Sequence, residues 1–123
     1  MTVIRAGARP TKRGDAANFT GVVWQDEVVV GKAPSRMRAT MVSFTPGART
    51  AWHSHPVGQT LYCVSGVGRL CLKGQPPQVL KAGEHNYVPR GTVHRQQNLS
   101  DKPARYIEMR IFDKDKPASE QVN

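Results

Sequence analysis

The sequence contains four histidines, and three of them are spaced as metal ligands could be. His53 and His55 are separated by Ser54 alone. Residues two apart on a strand share a face, so both imidazoles can reach one ion. The chain then turns through Pro56, Val57 and Gly58 and resumes at Gln59, where a hairpin sets the Gln59 side chain beside the pair. His94 follows 39 residues after His55 and can supply a third imidazole from a facing strand. Three imidazoles and one oxygen donor suit a divalent transition metal, with positions left open for water or substrate. His85, beside Gly83 and Glu84, reads as an exposed turn residue outside the ligand set.

An isolated His-x-His pair is a weak signal, and the frame around this one strengthens it. Gly47, five residues, His53-x-His55, three residues, Gln59, six residues and Gly66 form a first half. Gly83, five residues, Pro89-x-Gly91, two residues, His94, three residues and Asn98 form a second. This frame resembles the two signature motifs of the cupin superfamily, and the resemblance spans about residues 37–112. It implies an all-β fold, a cupin-type jelly-roll β-barrel of six or more strands, with residues 1–123 as one domain. It also implies a metal in the barrel mouth, held by His53, His55, His94 and Gln59, the last standing where most relatives carry Glu. The run from Gly47 to Leu61 is similar to a group of short bacterial cupins that includes manganese-dependent hydroxynitrile lyases. One divalent transition metal per chain is therefore expected, manganese first, with iron, nickel or zinc as alternatives. Gly47, Gly66, Gly83 and Gly91 fall where sharp turns need positive φ, and Pro89 fits the start of the strand carrying His94.

Gln59 bears on the reaction as well as on the resemblance. A neutral amide ligand leaves the site with the charge of the divalent ion, which favours Lewis-acid work over redox cycling. The alternative is that Gln59 hydrogen-bonds a water near the metal. Tyr106, Glu108 and Arg110 share one face of the last long strand, and Ile107, Met109 and Ile111 share the other. The polar face either meets solvent or looks into the cavity. In the second case Tyr106, standing where the lyases place a histidine base, donates a proton, and Arg110 clamps a carboxylate. Arg49 has the parity of His53 and His55 in a regular strand and is a weaker candidate at the rim. Trp52, of opposite parity, reads as packing, and Asn98 and Tyr62 as loop geometry and core packing. Three functions are compatible with these residues. The first is a Lewis-acid lyase or isomerase acting on a small polar molecule, anionic or neutral. The others are an oxygen-dependent dioxygenase and a non-catalytic metal or ligand-binding cupin.

The elements that position these residues are short. Eleven glycines and nine prolines punctuate the chain. Between them lie β-prone stretches at Val22–Val30, Arg38–Thr45, Thr60–Val64, Arg69–Lys73, Asn86–Val88 and Arg105–Phe112. No window carries a helical apolar period, so an antiparallel sandwich or barrel is expected. Residues 5–18 and 113–123 are polar and read as arms or frayed tails. Cys63 and Cys71 flank a glycine-rich turn, and a hairpin there would set two buried free thiols nearly opposite each other. No apolar run approaches 18 residues and the start lacks a secretory pattern, so a cytoplasmic protein without membrane contact is expected. The 18 Lys and Arg against 9 Asp and Glu are scattered without a nucleic-acid-binding motif. They read as a solvated basic surface, with attraction of an anionic small-molecule substrate as the functional alternative. A homodimer is expected, with Val3–Ile4 and Val22–Val30 as the segment covering a partner's sheet edge.

Overall fold

The computed structural model describes residues 1–113, 115, 117 and 119–121. Among these described residues thirteen strands follow in order: β1 Thr11–Arg13, β2 Phe19–Thr20, β3 Val23–Val30, β4 Met37–Phe44, β5 Arg49–Thr50, β6 His53–Ser54, β7 Gln59–Ser65, β8 Val67–Leu72, β9 Gln78–Lys81, β10 His85–Val88, β11 His94–Gln97, β12 Ala104–Ile111 and β13 Glu120–Gln121. No helix occurs among the described residues, and none is long and apolar enough to cross a membrane.

One sheet runs β1-β3-β4-β12-β7-β10, and the other joins β13-β6-β11-β5-β2, with β8 and β9 added beside β11. Every pairing is antiparallel. Their inner faces close on a core of Val23, Val42, Phe44, Ala48, Leu61, Cys63, Leu70, Leu80, Val88, Ala104 and Tyr106. Alternation along β4 and β12 supplies much of it. Val42 opposes Tyr106 and Phe44 opposes Ala104, so one parity of each strand fills the interior.

All six expected strands are present, within two residues at each end. The shorter ones carry too few residues for a periodic signal. The arms are more ordered than their polarity suggests. Thr11–Arg13 pairs with β3, and Glu120–Gln121 pairs with β6. Lys114 and Lys116 lie outside the described residues. Val23–Val30 pairs with β4 along most of its length and with β1 at Trp24–Asp26.

The segment between the cysteines is a corner rather than a hairpin. β7 belongs to the first sheet and β8 to the second. Gly66 makes the crossing at φ +79°, and a Cβ there would stand 2.3 Å from the Pro103 carbonyl oxygen. Cys63 therefore opposes Tyr106 and Cys71 opposes Arg95, each buried as a free thiol and not facing the other.

Candidate metal centre and cavity

The three histidines converge from short, separately anchored pieces of chain. His53 on β6 lies directly opposite His94 on β11. His55 lies one residue beyond β6, and its carbonyl accepts the backbone N–H groups of both Gly58 and Gly91. The Pro56-Val57-Gly58 turn and the Gly91 loop thus fix the same residue from two directions. Ring centroids are 4.3 Å apart for His53 and His94, 4.9 Å for His53 and His55, and 5.3 Å for His55 and His94. One ring nitrogen from each lies within 4.8 Å of the other two.

Hydrogen bonds set the tautomers. Nδ1–H of His53 donates to the Ala51 carbonyl at 2.7 Å, and Nδ1–H of His94 donates to Thr92 at 2.9 Å. Each Nε2 is left with its lone pair, the form a metal ligand requires. Burial lowers the pKa of His53, partly offset by the Ala51 bond and by Glu108, and Arg110 lowers it further. Burial also lowers His94, to about 4, with His53 and His55 adding to the effect and the Thr92 bond opposing it. Both rings are neutral at pH 7.

Gln59 reaches the cluster from the other sheet, because β7 pairs with β10 and β12 and forms no hairpin with β6. Its amide is 1% exposed, with Nε2 at 3.3 Å from His94 Nε2 and Oε1 buried without a hydrogen-bond partner. A half-turn of the amide exchanges the two atoms and aims the oxygen at the histidines. An orphaned buried acceptor beside three imidazole nitrogens fits a divalent transition metal.

A cavity of about 170 Å³ adjoins the cluster, lined by His53, His55, Gln96, Glu108 and Arg110 among others. Glu108 and Arg110 form an ion pair at 3.0 Å and are largely buried. The polar face of β12 therefore looks inward, and Met109 and Ile111 are exposed on the outer face. That settles the two readings of the strand. Gln96 lines the cavity with a buried Nε2 that has no hydrogen-bond partner.

Tyr106 faces inward too, but it lies deeper. It is 2% exposed, packs edge-on against Phe44 at 5.7 Å, and rests its hydroxyl on Gly68. It does not line the histidine cavity, and burial raises its pKa further above the ordinary phenol value. The expected proton donor is thus a core residue. Glu108, two residues along the same face, lines the cavity instead. Its shared parity with Tyr106 and Arg110 is legible in the sequence.

The remaining candidates sort by local geometry. The chain breaks between β5 and β6, so Thr50 rather than Arg49 turns inward, and Arg49 is exposed. Trp52 packs beneath the Arg95 guanidinium at 4.5 Å. His85 is exposed, as expected, but opens β10 and stacks on Tyr62. Tyr62 is 40% exposed on the outer sheet face and is not core. Asn98 is buried and ties its loop, donating to Phe44 and Lys102 carbonyls at 2.8 Å each. Gly47, Gly66, Gly83 and Gly91 all take positive φ. Pro89 follows β10 and precedes Gly91, so it belongs to the turn before His94 rather than to its strand.

A two-sheet antiparallel barrel with three histidines and a glutamine at its mouth defines a class, and comparison with known proteins gives the family. The Cupin domain family matches residues 40–110, and this chain belongs to it. The chain is 35% identical over 94 residues to an (R)-mandelonitrile lyase of Granulicella tundricola, covering 76% of this chain and 72% of that protein. It superposes on a cupin-like protein from Thermotoga maritima with a TM-score of 0.83 at 30% identity, covering all of this chain and 90% of the other. The polyketide cyclase RemF from Streptomyces resistomycificus shares the fold at a TM-score of 0.85 and 16% identity, over all of this chain and 86% of its own.

Proposed function

We propose that this cupin is a metal-dependent enzyme that acts on a small polar organic molecule by Lewis-acid lyase or isomerase chemistry. The carrying observation is the cluster of His53, His55 and His94, two of which line a small cavity together with the Glu108 carboxylate. His53, His55 and His94, with Gln59, would hold one divalent transition metal, manganese by family likeness. When bound, the metal supplies polarisation of a substrate oxygen.

The chain's own residues supply the rest. Glu108 is the proton-transfer group, a carboxylate facing the cavity and held in place by Arg110. Gln96 offers an unused N–H donor that orients a substrate oxygen. The 170 Å³ cavity has room for a small molecule. The likeness to a mandelonitrile lyase supports carbon–carbon bond cleavage next to an oxygen, and Glu108 replaces Tyr106 as the residue that moves the proton.

The test is elemental analysis of protein purified without added metal, followed by a panel of cyanohydrins, carbonyl compounds and hydroxy acids. About one equivalent of metal is expected in the wild type and none in His55→Ala. Protein that takes up no metal on titration ends this reading. Stoichiometric oxygen consumption with the active compound replaces it with a dioxygenase. A compound that stabilises the metal-loaded protein without turning over replaces it with a binding protein.

A homodimer belongs to the same proposal. The outer face of β4 and β12 exposes Met37, Met109 and Ile111 together, with Tyr87 of β10 beyond Thr60 of β7, an apolar face suited to a second copy. A monomer by light scattering at micromolar concentration removes this part.

A further inference from the structure

Beyond the histidine cavity a second chamber of about 250 Å³ opens between β1, β3, β4 and β12. Gln25, Glu108 and Arg110 line both spaces, so the two chambers adjoin. The unusual side chain here is Arg38. It stands directly opposite Arg110 across the β4–β12 pair, on the same inner face. Like charges directly opposite on a sheet repel.

The carboxylates of the chamber do not relieve Arg38. Glu108 is paired with Arg110 at 3.0 Å, and Glu27 is paired with Arg9 at 2.9 Å. Among the described residues no ion pair is left for Arg38 or for Lys12 at the rim. Arg38 Nε is buried and has no hydrogen-bond partner. A guanidinium nitrogen withdrawn from water without an acceptor is unfavourable unless a bound anion supplies one. A carboxylate matches the fork of donors that arginine presents.

We propose that Arg38, with Lys12 at the rim, binds a carboxylate, and that the substrate is a small organic acid whose other end reaches the histidine centre. The second half rests on the function proposed above, and the carboxylate site itself does not. Selectivity for organic acids over neutral analogues of the same size follows.

Calorimetric titration with succinate, and with succinamide as the neutral analogue, tests this. It is run on protein as purified and again after treatment with a chelator. Succinate is expected to bind both forms, succinamide neither, and Arg38→Gln to weaken succinate about tenfold or more. Arg38→Lys keeps the charge but loses the fork, so an intermediate loss is expected, and it carries the test should Arg38→Gln fail to fold. Equal affinity of wild type and variant, equal binding of succinamide, or no binding of succinate overturns the proposal. Binding confined to the metal-loaded form also overturns it, because the carboxylate is then on the metal. Metal content measured on the same samples separates the two failures. Protein that binds succinate but no metal keeps this site and loses the centre, and the reverse result does the opposite.

Discussion

Substituting Gly68 by alanine tests where Tyr106 lies. A Cβ at Gly68 would stand 1.2 Å from the Tyr106 hydroxyl and 2.5 Å from the ring carbon that bears it. Ordinary contact needs over 3 Å, so the hydroxyl would have to retreat by roughly 2 Å in a close-packed interior. The ring has little room to do so, being 2% exposed and wedged against Phe44. Overpacking of this kind costs about 3 kcal/mol. In a domain of this length each kcal/mol moves the melting temperature by roughly 4 °C, so a fall of roughly 12 °C is expected. The melt is followed by circular dichroism on metal-free protein, since a bound ion would add its own stabilisation. Combining Gly68→Ala with Tyr106→Leu should recover part of the loss, with a coupling of about 1 kcal/mol or more. A loss under about 1 kcal/mol, or strict additivity with Tyr106→Leu, refutes the reasoning and lifts Tyr106 towards the histidines. Activity gives a second check. Tyr106→Phe removes only the hydroxyl and is expected to leave turnover within about threefold, whereas a loss of about 10²-fold would return the proton to Tyr106.

Glu108→Gln keeps the shape of the side chain and removes its basicity, so turnover should fall about 10²-fold or more while metal content stays near one equivalent. Unchanged turnover would take Glu108 out of the reaction. In metal-free protein the unfolded chain binds protons at His94 more readily than the folded one, because the folded pKa is lowered to about 4 from 6.5. Stability should therefore be full above about pH 6.5 and decline as the pH falls towards 4, by on the order of 3 kcal/mol, with His53 adding in the same direction. Urea unfolding at pH 7 and pH 4.5 checks this, and a His94→Gln variant with the same slope as wild type would contradict it.

The ligand spacing was legible in the chain because a motif is local. His53 and His55 lie two apart, Gln59 follows one turn later, and glycines mark the bends, so the spacing could be matched to the cupin motifs, whose resemblance implied the centre and the barrel. The alternation of β12 was equally plain, since a strand of eight residues spans four repeats of its two-residue period. Which of its faces looked inward was not, because parity names two faces without saying which meets the other sheet. The pairing of Tyr106 with Val42 decided that, and the depth along the strand decided more. Tyr106 and Glu108 have the same parity, yet one lies in the core over Gly68 and the other in the cavity. Gln59 and the cysteines show the same limit. A hairpin was the local reading of each turn, and the chain instead changes sheets at both, because closing a barrel requires corners that only the opposing sheet specifies. The sequence by itself determined the donors and the strands, since both depend on neighbours in the chain. The tertiary structure alone decided depth, facing and the meeting of Arg38 with Arg110, since these depend on residues 72 positions apart being brought into register.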